Sequence, residues 1–188
     1  MKNKKNILIW GYYGQSNFGD DYNLKTITDT FKKLELQDKY NFFYTNDNNE
    51  IFENILNPFT LHKYKGKFKL YNLILNFLQT QKFLYKIDCI IFGGGTQYFE
   101  YSKYSFLGFL IKSVHLFLYK LARNKKVIQL NVGIGKVESF INTFLLKYIF
   151  YKSDISYLRD IKSYEFIKQL LPKKNIIYDK DLSYYYLN

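Results

Sequence analysis

ILIWGYYGQSNFGDDYNLKTI, residues 7–27, is the stretch on which the fold turns. A short apolar run stops at Gly11. A loop holding Gly14 and Gly19 then leads into Asp20 and Asp21. Beyond them Leu24, Ile27, Phe31 and Leu34 recur at the spacing of one helical face. A buried strand over 6–10, a glycine loop and an amphipathic helix make the opening unit of an α/β domain. Such a loop usually cradles a phosphate at the helix start. Here two carboxylates stand in that place, and the question is what they hold instead.

The same alternation continues along the chain. YNFFYT (40–45) reads as a strand ending in the turn cluster NDNNE. Residues 51–86 are less clear until Leu70, Leu73, Ile74, Phe77 and Leu78 resume a helical pattern. CIIF (89–92) is a strand that runs into Gly93, Gly94 and Gly95, and 106–121 is a helix. VIQLNV (127–132) is a strand followed by a turn at Gly133 and Gly135, then a helix over 138–151. DISYL (154–158) ends at Arg159 and Asp160, a helix over 161–171 stops at Pro172, and 175–179 is a last strand. Apolar strands alternating with helices predict an α/β fold: a Rossmann-like open parallel sheet with helices on both faces, in one domain spanning 1–188. The strand ends that carry glycine or Arg-Asp gather at the carboxyl edge, where ligands of open α/β sheets bind.

Composition narrows the function classes. The formal net charge is +12, almost all of it lysine, with Arg123 and Arg159 the only arginines. Nucleic-acid surfaces favour the bidentate guanidinium. The excess of Lys, Asn, Ile, Tyr and Phe also matches an AT-biased coding sequence. The charge is therefore read first as composition and second as attraction to an anionic membrane surface or acidic substrate, and no nucleic-acid partner is expected. One cysteine, Cys89 in an apolar run, excludes an internal disulfide and reads as a core residue. His62 and His115 are far apart, so no metal site is expected. No signal peptide is visible, since ILIW is too short for an apolar core. SFLGFLIKSVHLFLYKL, from Ser105, is shorter than the ~20 residues of a membrane span and reads as a helix with a broad buried face.

The opening loop is not a dinucleotide fingerprint. Gly11, Gly14 and Gly19 have the wrong spacing, and Asp20 and Asp21 would repel a pyrophosphate. No phosphate-binding G-K-[ST] occurs either. One aspartate suffices to complement the helix dipole, which leaves the other for the crevice. A carboxylate there binds a hydroxyl or deprotonates it as a general base. Tyr12 and Tyr13 add flat surfaces of the kind sugars stack on. The loop thus suits a polyol.

GYYGQSNFGDDYNL (11–24) resembles the N-terminal signature of the polysaccharide pyruvyl transferase family, G-x-x-G-x-x-N-x-G-D. DCIIFGGGTQYF, NVGIG, YLRDIKS and YDKDLSYYYL resemble further motifs of that family, in the same order. The resemblance implies transfer of a pyruvyl group from phosphoenolpyruvate, the donor substrate, onto two hydroxyls of a surface-glycan sugar, with no cofactor. It implies the acceptor-side half of a fold similar to the B-type glycosyltransferases, in the cytoplasm or at the inner membrane face. Asp20, with Asp21, would orient or deprotonate an acceptor hydroxyl, and Arg159 would bridge toward the donor. Asn17 would bind the sugar, and Gly11, Tyr13, Gly14, Gly19, Gly93, Gly94, Gly95, Gly133 and Gly135 would shape the substrate site. The acceptor is a glycan, free or lipid-linked. The family's C-terminal half is expected to be missing, which leaves a truncated or split gene, one half of a two-chain enzyme, or a domain kept for glycan or partner binding. Half of a nucleotide-sugar glycosyltransferase is the remaining alternative. A docking face for a partner chain or a second copy is expected at Tyr184–Tyr186 and along the carboxyl edge.

Overall fold

The computed structural model describes residues 4–13, 18–46, 56–60, 69–102, 105–122, 125–182 and 184. In chain order these form β1 (Lys5–Tyr13), α1 (Phe18–Lys33), a 3-10 turn (Leu36–Asp38), β2 (Tyr40–Asn46), β3 (Leu56–Thr60), α2 (Lys69–Tyr85) and β4 (Cys89–Gly93). There follow β5 (Thr96–Tyr98), α3 (Ser105–Leu121), β6 (Lys126–Ile134), α4 (Phe140–Lys152), β7 (Ile155–Leu158), α5 (Ile161–Leu170) and β8 (Ile176–Tyr178). The strands run parallel in the order β3-β2-β1-β4-β6-β7-β8, with β5 paired to β6. This is the open, Rossmann-like α/β sheet that the alternating pattern predicts.

The two-residue period of the strands sends neighbouring side chains to opposite faces, and each face has its own core. Ile9, Tyr13, Phe42 and Tyr44 pack under Leu24 and Ile27 of α1. On the other face Leu8, Ile90, Phe92, Val127 and Leu158 meet Leu84 of α2, Leu116 of α3, Ile149 of α4 and Ile167 of α5. Helix α1 carries Asp20 and Asp21 in its first turn and Lys32 and Lys33 in its last, both favourable to its dipole.

Two departures from the sequence reading have clear causes. Pro58 lies in β3, at the end of the sheet order, where a strand can lack one N–H donor. The segment Gly133–Gly135 is not a turn after a strand. β6 continues to Ile134, Gly133 N donates to Gly95 O (2.9 Å), and Gly135 N donates to Tyr98 O (2.8 Å). The local irregularity falls instead at Asn131, whose φ is 55°, where the pairing of β6 with β7 shifts register. Asparagine is among the few non-glycine residues that enter this region readily.

Helix α3 corrects a third expectation. It buries Phe109, Leu116 and Tyr119 but exposes Leu107, Leu110, Phe117 and Leu118. Exposed Tyr71, Leu73 and Leu78 of α2 and Phe140, Ile141 and Phe144 of α4 add to the apolar helical surface. Among the described residues the apolar excess therefore sits mainly on the helices. At the tail, Tyr184 is exposed with Lys180 Nζ 3.9 Å from its ring centroid, while Tyr185 and Tyr186 lie outside the described residues. No helix among the described residues is long and apolar enough to cross a membrane. Cys89 is partly buried, and burial pushes its thiol up to about 11, which disfavours the thiolate.

The Tyr13 hydroxyl donates to Gly93 O at 2.6 Å inside the core, linking the end of β1 to the end of β4. Tyr13→Phe removes that donor and should cost about 1–3 kcal/mol. A lower denaturant midpoint with an unchanged m-value is the expected result.

Candidate functional site

The site is built where α1 meets the loop after β4. Each glycine of that loop leaves room for a different side chain. A Cβ on Gly93 would stand 2.9 Å from the Tyr13 hydroxyl, and one on Gly94 would stand 2.5 Å from Asn23 Cβ. A Cβ on Gly95 would overlap Asp20 Oδ1. Gly94 and Gly95 also have φ of 58° and 74°, which glycine adopts without strain. The triple glycine is thus a bed for α1, and it lets the Asp20 carboxylate lie against the chain.

Arg159 enters from the end of β7. Its Nη1 donates to Asp181 Oδ2 (3.0 Å) and its Nη2 to Thr96 Oγ1 (2.8 Å). Gly133 makes room beneath it, since a Cβ there would come within 2.7 Å of Arg159 Nε. Asp181 is placed by Asn131, whose Nδ2 donates to Lys180 O (2.6 Å) and whose Oδ1 accepts from Leu182 N (2.9 Å). The neighbour of Arg159 has another task. Asp160 caps α5 by accepting from Ser163 N (2.8 Å), and Ser163 Oγ accepts from Ile134 N (2.8 Å).

Together these groups line a cavity of about 490 Å³, bounded by Tyr12, Gly19, Asp20, Asn23, Gly95, Thr96, Phe99, Tyr101 and Arg159. Acid and base lie on its floor and aromatic rings on its rim. Burial pushes the Asp20 carboxyl above its ordinary value, the Arg159 charge pulls it back, and Asp21 pushes it up again. The net shift is upward, which makes Asp20 a stronger base than a solvated carboxylate. Such a pair can hold a hydroxyl and draw off its proton.

Of the residues named from sequence, Tyr12, Gly19, Asp20, Gly95 and Arg159 line the cavity. Gly11, Gly93, Gly94 and Gly133 instead admit neighbouring side chains: the Tyr13 ring occupies the space beside Gly11. Gly135 packs against Phe99. Tyr13 is not a stacking surface, because it is 1% exposed in the core; its neighbour Tyr12, 43% exposed, takes that place. Asp21 is half-buried and does not line the cavity, and Gly14 and Asn17 lie outside the described residues. Sequence reasoning missed Asn23, Thr96, Phe99, Tyr101, Asn131 and Asp181. A signal existed for three of them: the polar and aromatic residues of TQYFEY directly follow the triple glycine. Among the described residues no cluster of His, Cys, Asp or Glu has the makings of a metal site.

The family model described as polysaccharide pyruvyl transferase matches residues 17–178 of the chain. No curated protein matches it. The matched span takes in Asp20, the triple glycine and Arg159.

Folding raises the Asp20 pKa, so near and above its ordinary value of 3.8 the native state binds more protons than the unfolded chain. Stability therefore falls as pH rises through that window. In Asp20→Asn that falling component should vanish, and above about pH 6 the variant should be at least as stable as the parent. Denaturant midpoints measured across this pH range provide the check.

Proposed function

Since the chain belongs to the polysaccharide pyruvyl transferase family, we propose that the cavity holds the acceptor sugar for pyruvyl transfer from phosphoenolpyruvate. The observation that carries this reading is the buried Asp20 carboxylate, kept basic on the floor of a cavity rimmed by Tyr12, Phe99 and Tyr101. In the proposed reaction the enol carbon of the donor takes a proton and becomes a methyl group. One acceptor hydroxyl adds to the adjacent carbon, and a second displaces phosphate there to close a cyclic ketal. Two hydroxyl protons leave the acceptor, one balanced by the new methyl and one by the released phosphate. Asp20 accepts the proton of an attacking hydroxyl. Arg159, braced by Thr96 and Asp181, faces the anionic donor.

Among the described residues Arg159 is the one cation that lines the cavity, and Asp181 already shares its charge. A donor with a phosphate and a carboxylate needs more positive charge than that. The reading therefore has further cations come from a second half-site, in the same polypeptide or a partner. The same observation favours a second reading, glycan binding without turnover. Action on the cytoplasmic side of the membrane, where phosphoenolpyruvate is made, belongs to the first reading.

Acceptor-dependent phosphate release from phosphoenolpyruvate separates the two. With a cation-bearing second half supplied, turnover is expected, and Asp20→Asn should lower it by about 10²–10⁴-fold. Sugar binding without phosphate release under those conditions would favour the binding protein. Full activity in Asp20→Asn would remove Asp20 from catalysis.

A further inference from the structure

The cavity at Asp20 shares its aromatic rim with a neighbouring cavity. Tyr12, Phe99 and Tyr101 line this smaller cavity of about 70 Å³, whose other walls include Gln97, Gly108 and Lys112. Gly108 and Lys112 in turn line a third cavity of about 390 Å³ between α2 and α3. Its walls are mostly apolar, Trp10, Leu73, Ile74, Phe77 and Ile111 beside the polar Asn76 and Thr80, with His115 stacked on Phe77 at 4.5 Å between centroids. Burial holds the His115 imidazole down at about 4, so this wall is uncharged near neutral pH. Polar floor, aromatic neck and apolar chamber thus follow one another through shared residues.

Lys112 stands at the junction. Its Nζ lies 4.5 Å from the ring centroid of Tyr98, 5.3 Å from Phe92 and 5.9 Å from Tyr12. Among the described residues no carboxylate pairs with it. Burial lowers its amine to about 8, and a bound anion would stabilise the charged form that burial disfavours. Nearby Gln97 is 3% exposed, and its Oε1 has no hydrogen-bond partner among the described residues, so it is open to a hydroxyl.

We propose that the three cavities form one site for an amphiphilic acceptor, with its sugar over Asp20, a phosphate-ester link beside Lys112 and an apolar chain between α2 and α3. The proposal rests on the cavity at Asp20 being the acceptor site. The occupant of the apolar chamber is the acceptor's own chain, because the chamber shares Gly108 and Lys112 with the neck, the neck shares its aromatic residues with the cavity at Asp20, and a cation marks the point where sugar and chain would join.

Trp10 is the sole tryptophan and lines the chamber, so its fluorescence reports occupancy. Decyl phosphate below its micelle concentration is the probe, with decanol, inorganic phosphate and phosphatidylcholine–phosphatidylglycerol vesicles as parallel arms. Decyl phosphate should give a saturable change, decanol should bind at least about tenfold more weakly, and inorganic phosphate alone should not change the signal. Lys112→Met should weaken decyl phosphate by about tenfold or more. Gly108→Phe should do the same by blocking the neck, and nothing lies within 4 Å of a Cβ at Gly108 to make the variant misfold. Circular dichroism and melting of both variants control for folding. Asp20→Asn should bind decyl phosphate as the parent does, so this site stands or falls independently of turnover. Equal affinity for decanol and decyl phosphate, undiminished binding in both Lys112→Met and Gly108→Phe, or a response to vesicles alone would each overturn the proposal.

Discussion

The site depends on how closely the first turn of α1 lies against the loop after β4. Three side chains from the β1–α1 unit, Tyr13, Asn23 and Asp20, each occupy space that a Cβ on Gly93, Gly94 or Gly95 would take. The Tyr13–Gly93 bond then ties the two strand ends together. Close packing of this kind leaves little freedom, because a single added methyl in a filled interior is felt. Asp20 is therefore buried and kept basic by position. Folding accepts an unfavourable carboxylate there, since burial disfavours its charged form.

A second constraint fixes the other half of the pair. Asn131, at positive φ inside β6, turns its amide toward residues 180–182 and anchors that segment with two hydrogen bonds. Asp181 then reaches Arg159, and Thr96 holds the guanidinium from the other side. A planar fork with two fixed contacts is well oriented before any ligand arrives. The price of that order is shared charge, because Asp181 pairs with the same guanidinium.

The helices on the face opposite α1 obey a different economy. Their inner residues build the larger core, yet α2, α3 and α4 keep bulky apolar residues outside as well. A helix that is apolar on several sides has surface to offer beyond its own domain's core. Between α2 and α3 that surplus encloses a chamber beside the site, with Lys112 set among aromatic faces at its entrance.

The order of strands and helices was legible in the residues themselves, because period-two and period-3.6 apolar patterns persist without tertiary context. CIIF, VIQLNV and DISYL lie in consecutive parallel strands for that reason, and Asp20 and Arg159 could be named from where strands and helices end. The family resemblance rested on the same local motifs, and the match over 17–178 bears it out. What each glycine does could not be read locally. Gly11 and Gly133 make room for Tyr13 and Arg159, and only the packed sheet brings those atoms within reach. Tyr12 and Tyr13 are adjacent and chemically alike, yet one faces the cavity and the other the core, because successive strand residues point to opposite sides. Asp181 reaches Arg159 from a segment held by Asn131, 50 residues earlier, and such long-range pairing exists only once the chain has folded. Local periodicity determined the elements; three-dimensional packing decided which side chains share a cavity.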